Sequence, residues 1–167
     1  PRSTLFPYTT LFRSLESLSK KLINAGVDWE SNNDIIKITS DGILKPVNVQ
    51  TAEYPDFPTD LQAQFLTLMT VANGNSEIIE NIFENRFMHV PELLRMGANI
   101  SVNGGVAKVS GVQNLKGAQI MATDLRASIS LIIAALRAEG ESYISRIYHL
   151  DRDRKSTRLN SSHNQIS

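Results

Sequence analysis

The first clear pattern along the chain is a helical spacing of apolar residues that follows Thr59. The apolar positions are Leu61, Phe65, Leu68, Met69 and Ala72. Thr59 and Gln62 stand at the spacing of a capping box, and Asn73-Gly74 is a helix stop. The pattern therefore predicts an amphipathic helix between these two ends.

A second helix is predicted over Asp124–Ala138. Its apolar positions are Leu125, Ile129, Ile132, Ile133 and Leu136. They cover a broad face, which predicts burial in a middle layer of the fold. Arg126 lies in the first turn, where the helix dipole disfavours a cation, so its side chain either contacts an anion or lowers the stability by a few tenths of a kcal/mol.

Both helices begin with the tripeptide Thr-Asp-Leu, and an arginine follows each of them at a similar distance. Arg86 stands 26 residues after Asp60, and Arg152 stands 28 residues after Asp124. The predicted elements around the tripeptides also repeat in order: a helix closed by glycine, a hairpin, a strand, the Thr-Asp-Leu helix and a last strand. The pattern predicts a duplicated α/β building block.

The boundaries of the repeated elements follow from the same alternation of apolar and polar residues. The first copy comprises Leu15–Gly26, Val27–Glu30, Ile35–Ile38, Pro46–Gln50, the first helix and Glu77–Phe83. The second copy comprises Pro91–Gly97, Ile100–Asn103, Val106–Val109, Ala118–Ala122, the second helix and Ser142–Ile147. The chain is therefore predicted to be α/β (α+β), with repeat units at about 15–86 and 87–152.

The two ends of the chain fall outside this pattern. Residues 1–14 and 153–167 are expected to be translated sequencing-adapter sequence, and 15–152 a piece cut from a longer gene. The ends hold five of the 17 basic residues and one of the 17 acidic residues, so the segment between them carries a net charge of −4. A mildly acidic segment without a basic patch argues against a nucleic-acid-binding surface.

Composition and motifs exclude several kinds of site. The chain has no cysteine, which removes disulfides, thiolate metal sites and thiol nucleophiles. It has no glycine-rich phosphate loop, no metal-spaced histidine cluster and no Ser-His-Asp order, so no metal or cofactor is expected. The longest apolar run, Leu131–Leu136, is too short to cross a membrane.

Polar residues at helix starts and strand ends are the candidate site. They are Asp60, Asp124, Arg86, Arg126 and Arg152. Arginines at such positions could converge on a small polyanion, and a carboxylate beside them could accept a proton from a substrate hydroxyl. Two alternatives stay open: Asp60 as a first-turn helix cap, and arginines that are solvated or paired locally.

Four segments of the chain resemble the UDP-N-acetylglucosamine 1-carboxyvinyltransferases, a family of enolpyruvyl transferases. The segments are FPTDLQAQF, IFENRFMHVPELLRMGA, LKGAQIMATDLRAS and RIYHLDR. The likeness covers essentially all of 15–152 and breaks after Arg152. It implies a domain built as an inside-out α/β barrel from three βαβαββ units, of which this chain would hold two, so that the domain is incomplete.

The resemblance also implies an activity and roles for residues. The family transfers the enolpyruvyl group of phosphoenolpyruvate to the 3-hydroxyl of UDP-N-acetylglucosamine and releases phosphate, the first committed step of peptidoglycan synthesis in the bacterial cytoplasm. Asp60 would be the base near that hydroxyl, and Asp124 would assist the proton relay. Ile82 would contact the UDP-sugar through its backbone. The residues expected to face phosphoenolpyruvate are Arg86, Arg126 and Arg152.

By the same resemblance, parts of the machinery are absent from this chain. The family's mobile loop with its cysteine proton donor, an essential lysine and further phosphate-binding arginines lie in the other domain. The chain alone is therefore expected to lack transferase activity, and helix Asp124–Ala138 is expected to be partly exposed. Two alternatives remain: a fragment like the shikimate-pathway enolpyruvyl transferase, and a non-catalytic α/β binding module.

Overall fold

The computed structural model describes residues 15–32 and 35–147 of the chain. The helices are α1 (Glu16–Asn24), α2 (Gln62–Met69), α3 (Val90–Arg95) and α4 (Leu125–Arg137). The strands are β1 (Asp28–Asn32), β2 (Ile35–Thr39), β3 (Val49–Gln50), β4 (Asn75–Ile79), β5 (Asn99–Asn103), β6 (Val106–Ser110), β7 (Gln119–Met121) and β8 (Tyr143–Ser145). The order of helix, hairpin, strand, helix and strand occurs twice, as predicted: α1 to β4 form the first unit and α3 to β8 the second.

Each unit contains a parallel strand pair joined through a helix. Strand β3 pairs in parallel with β4, and α2 connects them; β7 pairs in parallel with β8, and α4 connects them. Parallel neighbours need such a crossover, which brings the start of each helix next to the end of the preceding strand. The positions of Asp60 and Asp124 follow from this arrangement.

The hairpin of the second unit completes a sheet begun by the first. Strand β6 pairs antiparallel with β4, and β5 pairs antiparallel with β6, so the four-stranded sheet has the order β3-β4-β6-β5. Strands β1 and β2 pair with each other as a separate hairpin. The two units therefore share one sheet.

Helix α2 is the most deeply buried helix of the described residues, and it packs against α4. Its buried side chains are Gln62, Ala63, Phe65, Leu66, Thr67 and Met69. This burial on almost every side contradicts the single apolar face expected from the sequence. The middle layer expected for the second helix is thus occupied by the first.

Helix α4 is buried on one side only. Ala127, Leu131 and Ala134 are buried, whereas Ile129 is 37% and Leu136 is 71% exposed. The partial exposure expected from the resemblance is therefore observed at two apolar side chains. No helix in the described part of the chain is long and apolar enough to cross a membrane.

Two local predictions around Glu80 are wrong for a common reason. Strand β4 ends at Ile79 rather than continuing to Phe83, because the carboxylate of Glu80 accepts hydrogen bonds from the amides of Ile82 and Phe83 and turns the chain. Thr59 does not form a capping box, because its hydroxyl donates to Glu80. A single 3-10 turn over Thr59–Leu61 precedes α2 instead.

Candidate functional site

Asp60 lies at an exposed point between the two units. Its carboxylate Oδ1 is 2.6 Å from Nη2 of Arg126 and accepts a hydrogen bond of 2.7 Å from Nε of the same side chain. Two donors of one guanidinium therefore converge on one oxygen, a geometry that arginine supplies and lysine does not. The side chain of Asp60 caps neither the 3-10 turn nor α2. The alternative interpretation of Asp60 as a helix cap is wrong.

Arg86 approaches the same carboxylate from the loop after β4. Its Nη1 atom is 4.0 Å from Oδ1 of Asp60, and its guanidinium carbon lies 4.2 Å from the ring centroid of Phe83. The side chain is 20% exposed, and stacking on the ring limits its freedom. Asn85, with a φ of 58°, turns the backbone just before Arg86. The predicted convergence of Asp60, Arg86 and Arg126 is thus observed.

Asp124 performs a different task from Asp60. Its Oδ1 accepts hydrogen bonds from the amides of Arg126, at 2.8 Å, and Ala127, at 2.9 Å, so it is the N-cap of α4. The cap fixes the first turn, from which Arg126 extends to Asp60. A part in a proton relay stays a prediction, and it would have to use the other carboxylate oxygen.

Ile82 lies in a groove beside this cluster. The groove has a volume of about 500 Å³ and is lined by residues 80–87 together with Gly104 and Gly105. The amide of Ile82 donates to Glu80 at 2.9 Å, so a backbone contact with a ligand would use its carbonyl oxygen. The remaining predicted residue, Arg152, lies outside the described residues.

Glu80 is the residue that the sequence analysis missed. It is only 6% exposed, and both of its carboxylate oxygens accept hydrogen bonds. The donors are the hydroxyls of Thr51 and Thr59 and the amides of Ile82 and Phe83. Two of these donors lie more than 20 residues away, which is why no local pattern identifies the position.

His89 is buried between Arg86 and Asp124. Burial lowers the pKa of its imidazole to about 4, against the opposing effects of the Asp124 charge and of a hydrogen bond to the backbone of Arg86. The ring is therefore neutral at pH 7, and its Nε2 atom has no hydrogen-bond partner among the described residues. The ring lies beside that of Phe87, with the two ring centroids 6.4 Å apart. Within the described ranges no group of His, Asp or Glu side chains is placed to hold a metal ion.

The cluster can hold an anion beside a carboxylate, and comparison with known proteins shows to which family the whole chain belongs. The profile of the EPSP synthase (3-phosphoshikimate 1-carboxyvinyltransferase) family matches residues 9–153. The chain belongs to this family.

Curated relatives with more than half of their aligned residues identical carry the name UDP-N-acetylglucosamine 1-carboxyvinyltransferase. The protein from Rhizobium etli is 55% identical over 139 residues, and that from Caulobacter vibrioides is 58% identical over the same length. Each alignment covers 83% of this chain and 32% of the relative. The chain therefore spans about a third of the length of these relatives, and the resemblance stated from the four sequence segments is confirmed.

Solved structures of enolpyruvyl transferases share the fold. The enolpyruvyl transferase NikO from Streptomyces tendae superposes with a TM-score of 0.79 at 28% identity, over 88% of this chain and 34% of that one. EPSP synthase from Acinetobacter baumannii superposes with a TM-score of 0.61 at 19% identity, over 77% of this chain and 31% of that one. The predicted fold class, an incomplete α/β domain of an enolpyruvyl transferase, is confirmed.

Proposed function

We propose that this chain supplies part of the active site of an enolpyruvyl transferase that acts on UDP-N-acetylglucosamine and phosphoenolpyruvate. The observation that supports it best is the placement of Asp60 between the guanidinium groups of Arg86 and Arg126. Asp60 and Arg86 come from the first unit, and Arg126 comes from the second. A carboxylate and two guanidinium groups at one exposed point could catalyse a reaction in which a hydroxyl loses its proton while the cations bind a small polyanion.

In the free chain, Asp60 and Arg126 neutralise each other. An anionic substrate competes with Asp60 for the guanidinium group, and its binding releases the carboxylate to accept a proton from the sugar hydroxyl. The phosphate and carboxylate of phosphoenolpyruvate supply such an anion, and the arginines then stabilise charge that develops on the addition intermediate. Substrate binding and activation of the base are thereby coupled through one ion pair.

Sequence identity favours the UDP-sugar over a shikimate acceptor. The relatives that share 55–58% identity with this chain are named for UDP-N-acetylglucosamine. The family profile takes its name from the shikimate enzyme, and this is the observation that keeps shikimate 3-phosphate as the second candidate acceptor. Ile82 at the wall of the groove would contact the UDP-sugar, and Arg152 would join Arg86 and Arg126 at the phosphoenolpyruvate. By family the protein would act in the cytoplasm.

A chimera tests the proposal. Residues 15–152 replace the matching third of the Caulobacter vibrioides relative, and phosphate release from phosphoenolpyruvate is measured with UDP-N-acetylglucosamine or shikimate 3-phosphate as acceptor. We expect turnover with the UDP-sugar alone. Asp60→Asn should lower kcat by roughly 10²- to 10⁴-fold, the usual contribution of a general base. A folded chimera without turnover, or with turnover on shikimate 3-phosphate, would contradict the assignment.

Two controls accompany the chimera. Asp56→Asn removes an exposed carboxylate from the loop that precedes Asp60, so its kcat should match that of the unsubstituted chimera. The isolated chain of 167 residues should show no phosphate release at all, since the other groups implied by the resemblance are not part of it. Turnover by the isolated chain would overturn the expectation that this segment is inactive alone.

A further inference from the structure

Glu80 connects the two halves of the Asp60–Arg86–Arg126 cluster without forming a hydrogen bond or ion pair with any of the three side chains. It follows directly after β4 and is 6% exposed. Its Oε2 accepts a hydrogen bond of 2.8 Å from the hydroxyl of Thr59, the residue before Asp60. One carboxylate oxygen therefore holds the backbone that carries the acid.

The other oxygen of Glu80 holds the segment that carries the cation. Oε1 accepts from the amide of Ile82 at 2.9 Å and from that of Phe83 at 3.2 Å. The ring of Phe83 is the surface on which the guanidinium of Arg86 lies, 4.2 Å from its centroid. The same oxygen also accepts from the hydroxyl of Thr51 at 2.9 Å, which fixes Glu80 to the end of β3.

The backbone of Glu80 is fixed as well. Its amide donates to the carbonyl of Gly105 at 2.8 Å, and a Cβ on Gly105 would come within 2.7 Å of the Glu80 carbonyl oxygen. The turn of the β5–β6 hairpin thus lies directly against this residue. A buried carboxylate with this many donors has one conformation available to it, because rotation would leave several polar groups unsatisfied.

The second unit shows what the arrangement looks like without this acid. Thr123 stands before Asp124 as Thr59 stands before Asp60, and its hydroxyl is buried with no partner in the described part of the chain. Arg146 follows β8 where Glu80 follows β4. In that unit the aspartate turns back to cap its own helix rather than reaching another unit.

We infer that Glu80 is a positioning residue for the site: through Thr59 it directs Asp60 towards Arg126, and through the amides of Ile82 and Phe83 it sets the surface that holds Arg86. It acts on substrate only through these residues. Its importance for catalysis rests on the proposed function, but the positioning itself is a property of the free chain and is tested there.

The test uses the Nε–H signal of Arg126 in the ¹H–¹⁵N spectrum of the whole 167-residue chain, because this hydrogen donates to Asp60. Thr59→Val removes the hydroxyl that Glu80 accepts and keeps the shape of the side chain. We expect a several-fold faster exchange of the Arg126 Nε–H with water, approaching that of Asp60→Asn. Thr59→Ser retains the hydroxyl and should restore the original rate.

Thr123→Val is the matched control, since it removes the equivalent hydroxyl of the second unit, which has no partner there. It should leave the Arg126 signal unchanged and the chain no less stable. Glu80→Ala should disturb both halves of the cluster: the Arg126 signal and the ring-current shift of the Arg86 side chain over Phe83. If Glu80→Ala does not fold, the comparison of Thr59→Val with Thr59→Ser is sufficient to test the inference.

The outcomes separate the positioning role from a general structural one and from the proposed function. A folded Thr59→Val chain with an unchanged Arg126 signal would overturn the inference, as would equal effects of Thr59→Val and Thr123→Val. An inactive chimera with intact positioning in the free chain would contradict the proposed function and leave the role of Glu80 standing.

Discussion

The two units begin their central helices with the same tripeptide and use it in opposite ways. In the first unit, Asp60 leaves its own helix uncapped and pairs with Arg126, a residue of the second unit. In the second unit, Asp124 accepts hydrogen bonds from two backbone amides of α4, so its cap contacts lie within its own unit. One copy supplies the acid to the site, and the other supplies a rigid helix start that presents the cation.

The difference between the copies lies outside the tripeptide. Glu80 accepts the hydroxyl of Thr59, whereas the hydroxyl of Thr123 is buried without a partner among the described residues. The burial of the two helices also differs, because α2 is buried on nearly every side and α4 is buried on one side. Identical local sequence therefore yields different chemistry when the non-local partners differ.

The largest expected effect comes from disrupting the seam between the two units, which is the contact of Gly111 in the second unit with Ala72 in the first. A Cβ added to Gly111, at the end of β6, would overlap the carbonyl oxygen of Ala72, beyond the end of α2. Gly111→Ala should therefore destabilise the chain by roughly 3 kcal/mol or more, measured by chemical denaturation. Gly104→Asn, in a hairpin turn with a φ of +57° that asparagine tolerates, should change stability by less than about 0.5 kcal/mol. Equal effects at both glycines would show that the seam is not tightly packed.

The next effect is on pH dependence, at the point where the units meet behind the cluster. The pKa of His89 falls to about 4 in the folded chain, so between pH 6.5 and 4 the unfolded chain binds a proton that the folded chain does not. Stability is complete above pH 6.5 and is lost as the pH falls towards 4, by about 3 kcal/mol from this group.

The measurement for His89 is urea denaturation at several values between pH 4 and 7. His89→Gln removes the titrating group, so the difference between the variant and the original chain isolates it from carboxylates that titrate in the same range. Parallel stability curves for the two chains across this range would contradict the burial-driven shift.

A smaller effect separates the two aspartates. Asp124→Ala removes the N-cap of α4 and should cost about 1 kcal/mol of stability. Asp60→Ala breaks an ion pair in which the Asp60 side chain is 65% exposed, and it should change stability by less than about 0.5 kcal/mol. Thermal unfolding of the two variants side by side decides the matter. A larger loss of stability in Asp60→Ala than in Asp124→Ala would contradict the assignment of the structural cap to Asp124.

The smallest effect is on anion affinity in the isolated chain. Asp60→Asn frees Arg126 and Arg86 from their carboxylate, so phosphoenolpyruvate should bind about 2- to 5-fold more tightly, the range expected for an exposed ion pair. The measurement is an NMR titration of the Arg126 Nε–H, with Asp56→Asn as the control. Unchanged or weaker binding in the Asp60→Asn chain would mean that the pair does not compete with the ligand.

Much of the fold follows from the sequence because its elements are locally encoded. The spacing of apolar residues and the closing glycines predict the helices and hairpins, and the repeated Thr-Asp-Leu predicts two units. The approach of Arg86 to Asp60 follows from topology, since a helix start and a strand end lie at one edge of a parallel pair. The contact with Arg126 does not follow in this way, because Arg126 starts the helix of the other unit, whose parallel pair β7–β8 is a separate sheet.

The rest depends on contacts between distant residues. The predicted strand over Glu77–Phe83 has strand-like alternation, but the side chain of Glu80 captures the amides that the strand would use. Thr59 has the spacing of a capping box, yet Glu80, 21 residues away, is its partner. The burial of α2 likewise depends on the elements that pack around it, α4, β4 and β6, and the sequence of the helix alone does not predict it.

The ion pair between Asp60 and Arg126 joins residues that are 66 positions apart in the chain. Neither half of the molecule can present both charges if the two halves are separated, and a preparation in which they have come apart lacks the pair of guanidinium groups of the proposed anion site. Ligand titration of such a preparation therefore counts assembled molecules. It offers an assay that reports on the meeting of the two charges themselves, whereas circular dichroism reports on the total content of helices and strands.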